Sequence, residues 1–456
     1  MMNLRARPRA AIAAAAAAVM MASALMMTSS PATGATEDTV ISGHLADSTP
    51  YRFLVPDDWN GTVFVDMDFA GSAEPSPTAQ RLVDEGAAYG GTTRTVTGWN
   101  IPAAIANQVE ALDRFEETAG EADRRITMGS SMGGFVAAGV AQHHPDAIDG
   151  VVSMCGGLSG TVSQWNQKLD TVFVLSTLLD PAGALPVVGI PEDVPGSVAA
   201  WQQRLAEAQE TPEGRARIAL AATIGQLPAW SESAPRPTPR DTDAYQRGWY
   251  GALAADSLPY IGQAMSSRRT FETLLGGNPS WNTGVDYAEQ LATASPAARH
   301  VVDRLYREAG LSLEDDVATV DRAPRISADP DAVKQFELGT EFDGRISVPV
   351  VTMSNIGDQI STVAQQSEYQ DEVDRAGNSH LLRQTYVEAP THCGFSDAER
   401  VAAAHLLLHR LDTGGWHGRE TPPRMNQVAK SLDLGPTRFI PFRPDAFNRP
   451  YSPSWG

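Results

Sequence analysis

The sequence predicts an α/β protein: a mostly parallel central β-sheet flanked by helices, with a large inserted helical cap. Three observations predict it. From Thr62 to Met154, β-branched and apolar runs alternate with segments of helical spacing, the order that builds a parallel sheet covered by helices on both faces. The alternation stops near Gly156 and gives way to helical patterns broken by Pro-rich stretches such as Pro235-Arg236-Pro237-Thr238-Pro239. It resumes near Arg345, where Ile346 to Met353 again reads as a buried strand.

The chain opens with a segment outside this pattern. Arg5, Arg7 and Arg9 precede an Ala/Met-rich stretch from Ala10 to Met27, and a small-residue site ends at Ala35, so residues 1–35 read as an export signal. The rival reading is an uncleaved anchor, because the apolar run is almost long enough to span a bilayer. The expectation is a secreted, extracellular protein without stable membrane association once the signal is removed.

After the signal, Val40 to Leu45 and Tyr51 to Val55 suggest an antiparallel hairpin. Thr62 to Asp68 is a strand, Thr78 to Glu85 a short helix, Ala87 to Thr92 a strand and Pro102 to Glu117 a helix. Arg125 to Met128, Ser131 to His143 and Val151 to Met154 continue as strand, helix and strand. The expected layout is a first core part at 36–158, a helical cap at 159–344, and a second core part at 345–413. That second part holds a helix at Ala364 to Ala376, a strand at Leu381 to Val387 and a closing helix at Ala398 to Leu411. Residues 414–456 carry Phe439, Phe442, Phe447, Tyr451 and Trp455, too aromatic for a free tail, so packing on the core is expected.

Composition narrows the function. The formal charge is −20, with 35 basic and 55 acidic residues, which excludes nucleic acid as a natural partner and reads as solubility of an exported protein. Two cysteines, Cys155 and Cys393, are too few for a cysteine metal cluster. In an oxidising compartment a single bridge between them is expected.

The chemistry lies in Ile126-Thr127-Met128-Gly129-Ser130-Ser131-Met132-Gly133-Gly134, a G-x-S-x-G pattern between a β-like and a helix-like segment. A sharp strand-to-helix turn there lifts the Ser131 hydroxyl out of the backbone, and small flanking residues keep strand and helix from clashing. A serine hydroxyl is a poor nucleophile at neutral pH and needs a base oriented by a carboxylate. Asp358 follows the strand ending at Met353, and His392 follows the strand ending at Val387. The order Ser131, Asp358, His392 places nucleophile, acid and base at successive strand ends. Glu388 competes with Asp358 for the acid role, and Ser130 with Ser131 as a simple helix cap.

Through Gly129 to Gly133, the Gly357-Asp358 pair and the His392 loop, the chain resembles the α/β-hydrolase superfamily from about Val40 to Thr413, the insertion excepted. Within it the likeness is to secreted bacterial serine esterases and peptidase-like hydrolases. The resemblance implies Ser131 as nucleophile, His392 as general base and then acid, and Asp358 as the orienting acid. It implies cleavage of a carboxylic ester through an acyl-enzyme, with no cofactor and no metal. Alternatives are an exopeptidase or amidase on aminoacyl substrates, and a catalytically silent extracellular binding protein. A small-molecule ester or amide is the expected partner.

The oxyanion hole is expected from the N–H of Met132 and a second N–H, from Ala70 or Phe69, in the loop after Thr62 to Asp68. That loop, Asp66-Met67-Asp68-Phe69-Ala70-Gly71, departs from the His-Gly of many superfamily members. Asp68 is read either as a ligand for a substrate amine or hydroxyl, or as a turn acid. Trp99 is a candidate wall residue, and Trp201, Trp230, Trp249, Tyr250, Tyr260, Phe271 and Trp281 of the insertion are either its core or an apolar pocket. His405 and His409 lie four apart on a helix without a third ligand, which leaves a zinc site unsupported.

Overall fold

The computed structural model describes residues 38–452; the expected export signal and Trp455 lie outside the described residues. Nine strands form one sheet: β1 (Thr39–His44), β2 (Pro50–Val55), β3 (Thr62–Asp66), β4 (Ala88–Gly91), β5 (Arg124–Ser130), β6 (Gly150–Met154), β7 (Val350–Gly357), β8 (Leu382–Pro390) and β9 (Phe439–Ile440), in spatial order β1-β2-β4-β3-β5-β6-β7-β8-β9. The strands from β4 to β8 are parallel to one another. The hairpin β1–β2 joins one edge and β9 the other, both antiparallel. The sheet is thus mostly parallel, and its middle strands are apolar and buried because helices cover both faces.

One face carries α2 (Ile101–Ala119), α3 (Met132–His143) and α13 (Gln365–Arg375), with Ile105, Phe115, Val136 and Tyr369 in a common core. The other carries α1 (Pro77–Asp84), α14 (Asp397–Thr413) and α15 (Pro422–Leu432), packed through Leu82, Val401, Leu407 and Met425. Local sequence explains the boundaries. Asn100 caps α2, and Ser396 with Glu399 forms a reciprocal capping box on α14. One boundary differs from the sequence reading: Ile346 to Pro349 is not strand, and pairing begins at Val350 and runs on through Asn355 to Gly357. Pro349 has no N–H to donate to a ladder, while Ile346 and Val348 still bury their side chains. The apolar run therefore reported burial but not pairing.

Between β6 and β7 stand α4 (Thr161–Leu179), α5 (Val194–Gln209), α6 (Pro212–Ile224), α7 (Thr242–Tyr250), α8 (Tyr260–Leu275), α9 (Tyr287–Thr293), α10 (Pro296–Glu308), α11 (Leu313–Arg322) and α12 (Pro330–Glu337). They close on a core of their own that includes Leu175, Trp201, Ile218, Trp249, Ile261 and Val301. The residues after α15 run along both bodies. β9 pairs with β8, and Arg438 donates to Glu399 and to the carbonyl of Gly394. Farther on, Asn448 donates to the carbonyl of Ile224, Arg449 Nε stands 3.0 Å from Asp170 Oδ2, and Tyr451 packs edge-on against Trp281. Among the described residues no helix is long and apolar enough to cross a membrane.

Candidate active site

Ser131 stands between β5 and α3 with φ 58° and ψ −122°, a left-handed conformation that non-glycine residues rarely adopt. Its N–H donates to the carbonyl of Met154, which anchors the turn on β6. Two glycines make the turn possible. A Cβ on Gly129 would come within 2.5 Å of the Gly133 backbone, and one on Gly134 within 2.6 Å of the Met154 carbonyl. Gly129 of the G-x-S-x-G pattern and Gly134 just after it are therefore steric requirements of this strand–helix crossing, whereas a Cβ on Gly133 would meet nothing nearer than 3.6 Å.

His392 Nε2 lies 2.7 Å from Ser131 Oγ, and His392 Nδ1 lies 2.8 and 2.9 Å from the two carboxylate oxygens of Asp358. Asp358 is 1% exposed, and its burial is compensated by the backbone. Oδ1 accepts from the N–H of Ile360 and of Ser361, and Oδ2 from the N–H of Cys393. These bonds leave the carboxylate one orientation, facing the imidazole. Asn355 on β7 supports the other side of the loop, donating to the carbonyls of Ala389 and Thr391. Glu388, the rival acid, points elsewhere and pairs with Arg236 at 2.8 Å.

Cys155 and Cys393 form a disulfide, which ties the residue after His392 to the end of β6. Arg400 on α14 adds a polar clamp: Nη1 donates to Ser130 Oγ at 2.6 Å and Nη2 to the Cys393 carbonyl at 3.2 Å. Ser130 is thus engaged by Arg400 rather than capping α3. Beneath the turn, burial raises the Asp66 carboxyl to about 6, although Tyr89 and the Asp68 N–H donate to it and the Arg400 charge opposes the rise.

The cap reaches the acid loop as well. Lys168 on α4 is buried and donates through Nζ to the Ile360 carbonyl at 2.6 Å. Burial lowers its ammonium to about 7, with Asp358 opposing the fall. Gln359 donates to the Leu258 carbonyl and Thr362 to Gln167.

The expected oxyanion donors divide. Met132 is the first residue of α3, so its N–H has no partner within the helix. Ala70 is corrected: its N–H donates to the Thr92 carbonyl at 2.9 Å and is unavailable. Phe69 opens the short 3₁₀ turn Phe69–Gly71, and its N–H remains the second candidate. The amine-binding reading of Asp68 is also corrected. Arg94 grips Asp68 with two parallel bonds, Nε to Oδ1 and Nη2 to Oδ2, so its carboxylate already has a cationic partner.

A cavity of about 210 Å³ opens at Ser131 and Met132 and is lined further by Arg94, Trp99, Phe135, Gln164 and Gln263. Trp99 stands in its wall, edge-on to Trp165 and Phe271. The cap side of the cavity is polar; of the two readings of the cap aromatics, Trp201, Trp249, Tyr260 and Phe271 follow the first and are buried in packing. Arg94 escaped the sequence reading because a lone arginine after a strand carries no motif. His405 is bonded to Glu85 at 2.6 Å. Among the described residues, the grouping of possible metal ligands is Cys155, Asp358 and Cys393, whose sulfurs are joined in the disulfide.

Comparison with known proteins places this geometry in context. A model of the alpha/beta hydrolase fold matches residues 65–187. The chain is similar to an o-phthalyl amidase of Xanthobacter agilis, 32% identical over 422 residues, covering 86% of this chain and 91% of that one. Among solved structures it is similar to feruloyl esterase B from Aspergillus oryzae, with TM-score 0.41, 11% identity, and 83% and 81% of the two chains covered. It is also similar to the acylaminoacyl peptidase of Pyrococcus horikoshii, with TM-score 0.35, 8% identity, and 89% and 43% covered.

Proposed function

This chain belongs to the α/β-hydrolase superfamily, and we propose that it is an exported serine hydrolase that splits a carboxylic acyl bond through an acyl-enzyme. The observation that carries the reading is the continuous relay from Ser131 Oγ through the His392 ring to the buried Asp358. In this reading His392 takes the proton of Ser131 as Oγ attacks the carbonyl, and Asp358 holds the imidazole and stabilises its charge. The N–H groups of Met132 and Phe69 receive the developing oxyanion. His392 then delivers the proton to the leaving group, and water repeats the sequence on the acyl-serine. No step needs a metal or a cofactor.

The sequence alone pointed to an ester as the scissile bond. The amidase relative favours an amide as the second reading, and the two are chemically nested. A site that protonates and expels an amine also expels an alcohol, which is the better leaving group. The aminoacyl version loses Asp68 as its amine ligand, since Arg94 already pairs with that carboxylate. The disulfide favours an oxidising compartment, in keeping with export.

A fluorophosphonate probe tests the enzyme reading. Labelling of the wild type that disappears in Ser131→Ala supports it, and an unlabelled wild type rejects it in favour of a silent binding protein. A panel of matched benzoyl and butanoyl esters and anilides then ranks ester against amide.

A further inference from the structure

We propose that Arg94 recognises a carboxylate carried by the acyl part of the substrate, so that the site selects acyl groups bearing a second, anionic carboxyl. This assignment rests on the acyl-hydrolase reading above and specifies what that site takes.

Arg94 is the one charged side chain among the described residues that line the cavity at Ser131. The protein carries a formal charge of −20, so an anion held in this cavity requires a local cation, and this guanidinium is the one in the wall. The pairing with Asp68 does not exhaust it. Asp68 occupies the edge formed by Nε and Nη2, whereas a guanidinium has five N–H groups and a second fork at Nη1 and Nη2. That second edge matches a carboxylate through two parallel bonds.

Asp68 has a definite role in this arrangement, as the group that orients the fork. Its own N–H donates to Asp66, and a Cβ on Gly133 would lie 3.6 Å from its Oδ2. The Asp68 carboxylate thus stands beside Gly133 in the first turn of α3, the element that also carries the Met132 N–H. Arg94, Ser131 and Met132 line one cavity, so a carboxyl bound by Arg94 shares it with the carbonyl under attack.

The cavity suits an acyl group of this size. A closed space of about 150 Å³ accepts benzene, so about 210 Å³ admits a ring or a short chain together with a carboxylate. Gln263 on the cap wall adds a complementary feature, since its Oε1 is buried and has no hydrogen-bond partner among the described residues. A substrate N–H would satisfy it, as an amide supplies and an ester does not.

The test measures binding and turnover separately on the full mature chain. Calorimetric titration with benzene-1,2-dicarboxylate and with benzamide compares wild type, Arg94→Gln and Arg94→Lys. The dicarboxylate is expected to lose roughly 10- to 100-fold in affinity in Arg94→Gln, with a smaller loss in Arg94→Lys, which keeps the charge without the fork. In turnover, the kcat/KM ratio of 2-carboxybenzoyl 4-nitroanilide to benzoyl 4-nitroanilide is expected to fall by the same factor, mainly through KM. Because the ratio is taken within one variant, a general disturbance of the site cancels. Equal affinity of wild type and Arg94→Gln for the dicarboxylate, or an unchanged ratio, overturns the assignment. A wild type that binds the dicarboxylate through Arg94 yet is unreactive to every acyl substrate and to the fluorophosphonate keeps the assignment and rejects the hydrolase reading.

Discussion

Arg400 Nη1 donates to Ser130 Oγ at 2.6 Å, so the residue before the proposed nucleophile is held by the helix that follows the histidine loop. The same guanidinium reaches the Cys393 carbonyl, beside His392. One side chain thus spans both halves of the relay. Arg400→Leu is expected to lower kcat by roughly 10²-fold, the cost of a misplacement of about 1 Å, with a smaller change in KM. Steady-state kinetics check this, and a loss confined to KM would argue against a positioning role.

The relay itself makes graded predictions. Ser131→Ala is expected to reduce kcat on the order of 10⁶-fold, whereas Asp358→Asn is expected to reduce it on the order of 10⁴-fold, because the geometry survives while the imidazole takes the wrong tautomer. Single-turnover measurements with a chromogenic ester separate the two. Equal, mild effects would be incompatible with a nucleophile and its orienting acid.

The disulfide closes 238 positions of chain. In the chain-entropy model a loop of that length is worth about 5 kcal/mol, and native bridges are typically worth about 2–4 kcal/mol. The double variant Cys155→Ala/Cys393→Ala is expected to unfold at lower denaturant concentration by an amount in that range. It should also lower kcat, since the histidine loop loses its covalent tie to β6. Coincident denaturation curves would contradict the stability expectation.

Asp170 and Arg449 give a pH prediction. Burial raises the Asp170 carboxyl to about 6, and the Arg449 charge opposes that rise. A carboxyl whose folded value lies above its unfolded value of about 4 binds its proton more tightly when folded. Its contribution to stability is therefore greatest at low pH and declines as pH rises from about 4 to 6. Arg449→Met removes the opposing charge, so the decline should extend above pH 6, and the variant should be less stable than wild type at pH 7 by about 3–5 kcal/mol. Melting temperatures between pH 4 and 8 check the sign. A constant offset at all pH values would mean that Arg449 contributes packing alone.

Much of this was readable from residues because it is local. Apolar spacing reports burial, and a glycine at 129 is needed where this strand meets its helix so tightly. The positions of Asp358 and His392 were expected at strand ends, and the structure brings the His392 ring within hydrogen-bond reach of the Ser131 hydroxyl and Asp358 within reach of the other ring nitrogen. What escaped depends on distant partners. Arg400 meets Ser130 across 270 positions, and nothing near either residue announces the other. Ala70 was unavailable as an oxyanion donor because Thr92, on a neighbouring loop, had already accepted its N–H. The aromatics of the cap left core and apolar pocket both open, because aromatic content says nothing of which face a helix turns toward a site, and the side chains lining the cavity from the cap include Gln164 and Gln263.

The segment that crosses from β9 to the cap bears on when the protein acquires its shape. Gln167 of α4 meets Asn448 across 281 positions, and Asp170 on the same helix draws its ion-pair partner from the next residue, Arg449. Contacts of such separation form late and slow folding, because the chain between them must be closed before they reward it. Until residue 449 has been added, the cap offers the buried Asp170 the charge of Arg325 alone, and its direct ion pair with Arg449 forms only across that long separation.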